Sequence, residues 1–126
     1  MARTRAWGVA AVAAGFVVIG VEAASASCVV RGGRFDPAQN DSPTWAAAVS
    51  GGTCTINFRS LGNMVFTGTS VVSRPSGGSV ALAGMTSARY QARAGFKGSD
   101  SVAFKVCGSH RAGSGCSTIT VNMAVQ

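Results

Sequence analysis

Val102-Ala103-Phe104-Lys105-Val106 and Ile119-Thr120-Val121-Asn122-Met123 each carry apolar side chains at every second position. A period of two is the mark of a strand with one buried and one wet face. The polar, glycine-rich segment from Cys107 to Cys116 joins the two runs as an antiparallel hairpin. Parity then places the cysteines. If Val102, Phe104 and Val106 point inward, Cys107 points outward, and if Ile119, Val121 and Met123 point inward, so does Cys116. Both sulfurs lie on the wet face of one hairpin, so a Cys107–Cys116 disulfide is expected, with Cys28–Cys54 as the remaining pair.

The same period runs through much of the preceding chain. Thr53 to Phe58 alternates with Cys54, Ile56 and Phe58 on one face. Met64 to Ser73 is rich in Val, Phe and Thr, with Gly68 at the place of a bulge or bend. Arg74-Pro75-Ser76-Gly77-Gly78 is a turn, followed by short strands at Ser79–Leu82 and Ser87–Gln91. About seven short strands separated by turn residues predict an all-β antiparallel sandwich over residues 51–126. Residues 27–50 are turn-rich, with Gly32-Gly33, Asp36-Pro37 and Asn40-Asp41-Ser42-Pro43, and are expected to be an irregular arm tied down through Cys28. Within it, Thr44–Val49 reads equally as a short strand or a helical turn.

Residues 1–26 have the layout of a secretory signal peptide. Arg3 and Arg5 precede an apolar run from Ala6 to Val21, and Ala24-Ser25-Ala26 supplies the small residues of a cleavage site. The apolar run is short for a membrane span, and Ser25 stands where a lipoprotein site would carry a bulky aliphatic residue. Ser27 is the predicted mature N-terminus, with no transmembrane segment left after cleavage and a periplasmic or secreted destination. All four cysteines lie beyond the cleavage site, and an even count in a short exported chain reads as two disulfides.

The segment Tyr90-Gln91-Ala92-Arg93-Ala94-Gly95-Phe96-Lys97-Gly98-Ser99-Asp100-Ser101, with the two alternating strands after it, resembles the end of bacterial Ig-like and cadherin-like repeat domains. The resemblance covers residues 51–125, in one copy, and implies an Ig-like sandwich. It implies little about function, because such sandwiches host many unrelated activities. Antibody domains offer a different cysteine pairing, Cys54 with Cys107 between sheets, but the tryptophan expected after the first cysteine is missing. Trp45 lies before Cys54. Calcium-binding members hold their ions on clustered carboxylates, whereas only Asp36, Asp41 and Asp100 remain after residue 26, far apart in sequence. Asp100 is expected instead to cap the turn leading into the Val102 strand.

Catalytic chemistry has little to work with. His110 is the only histidine, and no sequence signal supplies it with an orienting carboxylate. No nucleophile elbow, phosphate loop or cofactor motif is present, so neither catalytic residues nor a cofactor is expected. Cys107, His110 and Cys116 give three donors where a structural zinc site takes four, so no metal is expected.

Charge is the last functional clue. The whole chain carries +7 at neutral pH. Without Arg3, Arg5 and Glu22, nine basic residues face three acids, a net of +6. Arg89, Arg93, Lys97, Lys105 and Arg111 are the candidate anion-binding residues, on strands and loops after Gly51. No stacking aromatics interleave with them, which argues against nucleic acid. The function expected is non-catalytic binding or a structural role in the envelope or outside the cell, with an envelope protein as partner. The alternative is electrostatic binding of anionic envelope polymer or lipid.

Overall fold

A computed structural model describes residues 27–58 and 63–126. The signal peptide expected at 1–26 lies outside the described residues. Among the described residues eight strands form two sheets: β1 (Ser27–Arg31), β2 (Thr44–Ser50), β3 (Thr53–Asn57), β4 (Val65–Ser73), β5 (Gly78–Leu82), β6 (Ser87–Ala92), β7 (Gly98–His110) and β8 (Gly113–Val125). The larger sheet has the order β1-β2-β8-β7-β4 and the smaller β3-β6-β5. All pairings are antiparallel except β2 with β8, which run parallel. This is an all-β sandwich.

Alternation explains the core. Cys54, Ile56 and Phe58 on β3 and just after it, Val102, Phe104 and Val106 on β7, and Ile119, Val121, Met123 and Val125 on β8 are all buried. The rings of Phe58 and Phe104 meet edge to face with centroids 5.1 Å apart. Gly68 falls where the β4–β7 register slips, between Phe66 and Gly68, and a second slip lies between Val71 and Ser73.

Residues 27–50 are not an irregular arm. They supply β1 and β2, two of the five strands of the larger sheet. Trp45, Ala47 and Val49 face the core while Thr44, Ala46 and Ala48 are exposed. Alanine stands on both parities, which erases the hydrophobic contrast that marks a strand, and alanine itself favours strands poorly. The parallel partner β8 supplies what local sequence does not. Only the piece between β1 and β2 is irregular, with a single 3₁₀ turn at Pro37–Gln39 capped by Asp36.

The cysteine-flanked segment is also more regular than its glycines imply. β7 and β8 run on past the disulfide to a two-residue tip, Arg111-Ala112, with Cys107 directly opposite Cys116. The disulfides are Cys28–Cys54 and Cys107–Cys116. Because Cys28 is on β1 and Cys54 on β3, the first is a bond between the two sheets rather than a tether for a loose arm.

Candidate functional site

Asp100 sits inside β7 and is buried, not at a turn before the strand. One carboxylate oxygen accepts the N–H groups of Ser76 (2.9 Å) and Ser101 (2.9 Å). The other accepts the Gly77 N–H (3.0 Å) and the Tyr90 hydroxyl (2.7 Å). Asp100 therefore caps a turn, but the one between β4 and β5, and it joins that turn to both sheets. Burial works to raise its pKa, and the Tyr90 hydroxyl with the Ser101, Ser76 and Gly77 N–H groups more than offsets this, holding the carboxyl below the ordinary aspartate value. Burial and the bond to Asp100 push the Tyr90 phenol well above its ordinary value. A charged carboxylate and a neutral phenol are locked together.

His110 has an orienting carboxylate after all. Its Nε2 lies 2.8 Å from Asp36 Oδ1, and the Ala112 N–H donates to its Nδ1 at 3.0 Å. Since Nδ1 accepts, the proton of the neutral ring is on Nε2, donated to Asp36. Asp36 also accepts the Ala38 N–H as the N-cap of the 3₁₀ turn. Neighbouring bonds follow the same plan. Asn40 Oδ1 accepts the Cys116 N–H (3.0 Å), Asp41 accepts the Ser117 hydroxyl and the Asp36 N–H, and the Asp41 carbonyl accepts the Thr118 N–H (3.0 Å). The 35–43 segment is thereby fastened along β8 and the hairpin tip.

A triad does not assemble from these groups. Both ring nitrogens of His110 are engaged, and Ser117 turns to Asp41, so among the described residues no hydroxyl faces an imidazole base. The zinc constellation is closed in another way, because Cys107 and Cys116 share a disulfide and have no thiolate to offer.

No family model, characterised protein or solved structure matches this chain.

The five candidate cations do not form one surface. Arg89 is on the outer face of the smaller sheet, whereas Lys105 points outward from the larger sheet, on the opposite side of the sandwich. Lys97 precedes β7 and Arg111 follows it, so the 13-residue strand separates them by about 40 Å. Only Arg93 and Lys97 come together, beside the Gly51-Gly52 turn. Arg93 is already committed, stacked 5.6 Å from the centre of the Phe96 ring and bonded to the Ser76 carbonyl. Asp36, Asp41 and Asn40 were not recognisable from the sequence as partners of the hairpin. The available signal was Asp36 immediately before Pro37, the pattern of a capped turn.

Two substitutions test how the segment is held. His110→Ala removes a bond to a carboxylate that keeps another donor and a bond accepted from the exposed Ala112 N–H, and should cost about 1 kcal/mol in urea unfolding. Gly115→Ala should cost more, about 1–3 kcal/mol, because a β-carbon there would overlap the Pro37 carbonyl oxygen and the Asn40 side chain. The reverse ranking would mean that the segment does not rest on the hairpin.

Proposed function

We propose that this chain is an exported, disulfide-stapled Ig-like domain that acts without catalysis, by binding or as a structural component of the bacterial envelope or extracellular space. One observation carries the reading. Among the described residues every Asp and the only His are spent holding segments together, and every cysteine is in a disulfide. Such a chain has stability devices suited to an oxidising compartment, and among the described residues no carboxylate side chain or imidazole is left free for turnover. The strand order supports the Ig-like assignment. If β3 to β8 are lettered B to G, the smaller sheet reads B-E-D and the larger ends G-F-C, the arrangement of constant-type immunoglobulin sandwiches. No helix among the described residues is long and apolar enough to cross a membrane.

Expression in a bacterial host with fractionation tests the reading. The protein should be recovered outside the cytoplasm, beginning at Ser27 by intact mass, with all four cysteines oxidised. Its retention with the envelope or in the medium should be unaffected by His110→Ala. Protein found in the cytoplasm with reduced thiols, or a turnover abolished by His110→Ala, would overturn it.

A further inference from the structure

β3 is an edge strand of the smaller sheet and β1 an edge strand of the larger, and the Cys28–Cys54 bond holds the two edges on the same side of the sandwich. Their hydrogen-bond phase follows from bonds at the strand ends. Phe58 N–H donates to Thr86, and Ala92 N–H to Gly52. Positions 52 and 58 thus bond to β6 or its flanks, and by the alternation of an antiparallel ladder so do 54 and 56. The backbone N–H and C=O groups of Thr53, Thr55 and Asn57 point the other way, out from an edge that no other strand among the described residues pairs. On the larger sheet, Gln126 N–H donates to Val49 and Thr120 N–H to Pro43, so odd positions of β2 serve β8 and even positions serve β1. Through the β1–β2 register, Ser27, Val29 and Arg31 bond to β2, leaving the backbone groups of Cys28 and Val30 without a strand partner among the described residues.

These unpaired groups converge. Cys28, Val30, Thr55 and Asn57, with Gly32 and Trp45, line a cleft of about 410 Å³ between the two edges. Trp45 is buried, and its indole N–H is the one buried side-chain polar atom among the described residues without a partner. Gly32 lies against the indole so closely that a β-carbon would overlap the ring, which keeps this wall of the cleft low.

Other edges are guarded. β4 carries two register slips, and the turn that follows β5 is tied across to β4 where the Thr69 hydroxyl donates to the Met85 carbonyl (2.7 Å). β3 has no charge, no proline and no bulge. Charge at the rim is of one sign. Arg89 is the cross-strand partner of Thr55, Arg31 and Arg34 are exposed, and none of the described acids lies on β1, β3 or β6.

We propose that the β3 edge accepts an extended acidic peptide segment of a partner protein as a fourth, antiparallel strand of the smaller sheet. Alternate apolar side chains of the peptide enter the cleft against Val30 and Trp45, and the acidic ones lie on the outer face toward Arg89. This rests on the binding reading above and names its ligand class.

A fluorescein-labelled heptapeptide alternating valine and aspartate, titrated against the full chain by anisotropy, provides the test. In an antiparallel added strand, residues opposite Thr55 share its outward face and bond to it, so the aspartate N–H groups make the contacts. N-methylation of the aspartates should weaken binding at least about tenfold, since each blocked bond leaves a β3 carbonyl unpaired. N-methylation of the valines should change it little. Arg89→Glu should weaken the unmodified peptide and flatten its salt dependence. Thr55→Pro, which removes an N–H that β6 does not use, should also abolish binding. Equal tolerance of both methylation patterns, or the opposite preference, would overturn strand addition even if the peptide binds and the non-catalytic reading stands. Absence of saturable binding by the unmodified peptide would overturn it outright, without bearing on export or catalysis.

Discussion

Asp100→Ala should lower the unfolding free energy by about 3–5 kcal/mol, the largest loss expected from any single polar substitution here. The change leaves the buried Tyr90 hydroxyl and the Ser76 and Gly77 N–H groups without their acceptor, and frees the turn between β4 and β5 from β7. Asp100→Asn should cost less, about 2–3 kcal/mol, because one oxygen can still accept while the amide group faces donors. Tyr90→Phe removes a single bond to a charged group and should cost about 1.5–3 kcal/mol. The double variant should lose less than the sum of the two, since both remove the same bond. Urea denaturation of the four proteins measures this, and strict additivity would show that the two side chains act independently.

The same node has a pH signature at each end of the scale. Asp100 has a folded pKa below its unfolded value, so its contribution is complete above the ordinary aspartate value of about 3.9 and is lost as pH falls through the folded pKa. The gap between wild type and Asp100→Asn should therefore narrow below about pH 4. Tyr90 has a raised folded pKa, so the unfolded chain gives up its proton first and stability should fall above about pH 10. Tyr90→Phe should lack that alkaline loss. A Tyr90→Phe protein with the wild-type alkaline limb would place the effect on the lysines instead.

Removing the Cys28–Cys54 bond by a double alanine variant should cost about 3.5 kcal/mol on loop length alone, against about 2.6 kcal/mol for Cys107–Cys116. The first closes a separation of 26 residues and the second only 9. The consequences should differ in place as well as size. Cys28–Cys54 is the covalent link between the sheets, and β1 is a five-residue edge strand with Val29 exposed. Its loss should raise hydrogen exchange at Val29–Arg31 and widen the cleft beside Trp45, leaving β7 and β8 protected. Loss of the hairpin bond should mainly loosen the tip around Arg111, where the 35–43 segment still holds β8. Unchanged exchange in β1 would mean that its pairing with β2 suffices to anchor it.

Several features could be reached from the chain alone because they depend only on which face a residue occupies. Strand parity in β7 and β8 put Cys107 opposite Cys116, and the turn residues at Arg74–Gly78 separated β4 from β5. Partners that lie far along the chain gave no such signal. Asp36 meets His110 across 74 positions, and Asp100 meets Ser76 across 24. Nothing in the neighbourhood of either aspartate marks the residue it will face.

What the sequence by itself determined is therefore the inward and outward sets of each strongly alternating strand, and with them a two-sheet β core. The period-two pattern is a local consequence of backbone geometry. Tertiary structure alone decided the rest. Alanine-rich β2 became a strand because β8 offered a parallel edge, and Cys28–Cys54 joined the sheets because β1 and β3 ended on the same side. The cleft between their unpaired edges arises from strand order, which no local pattern encodes. Face is written residue by residue along the chain, but neighbour and edge depend on how distant segments pack.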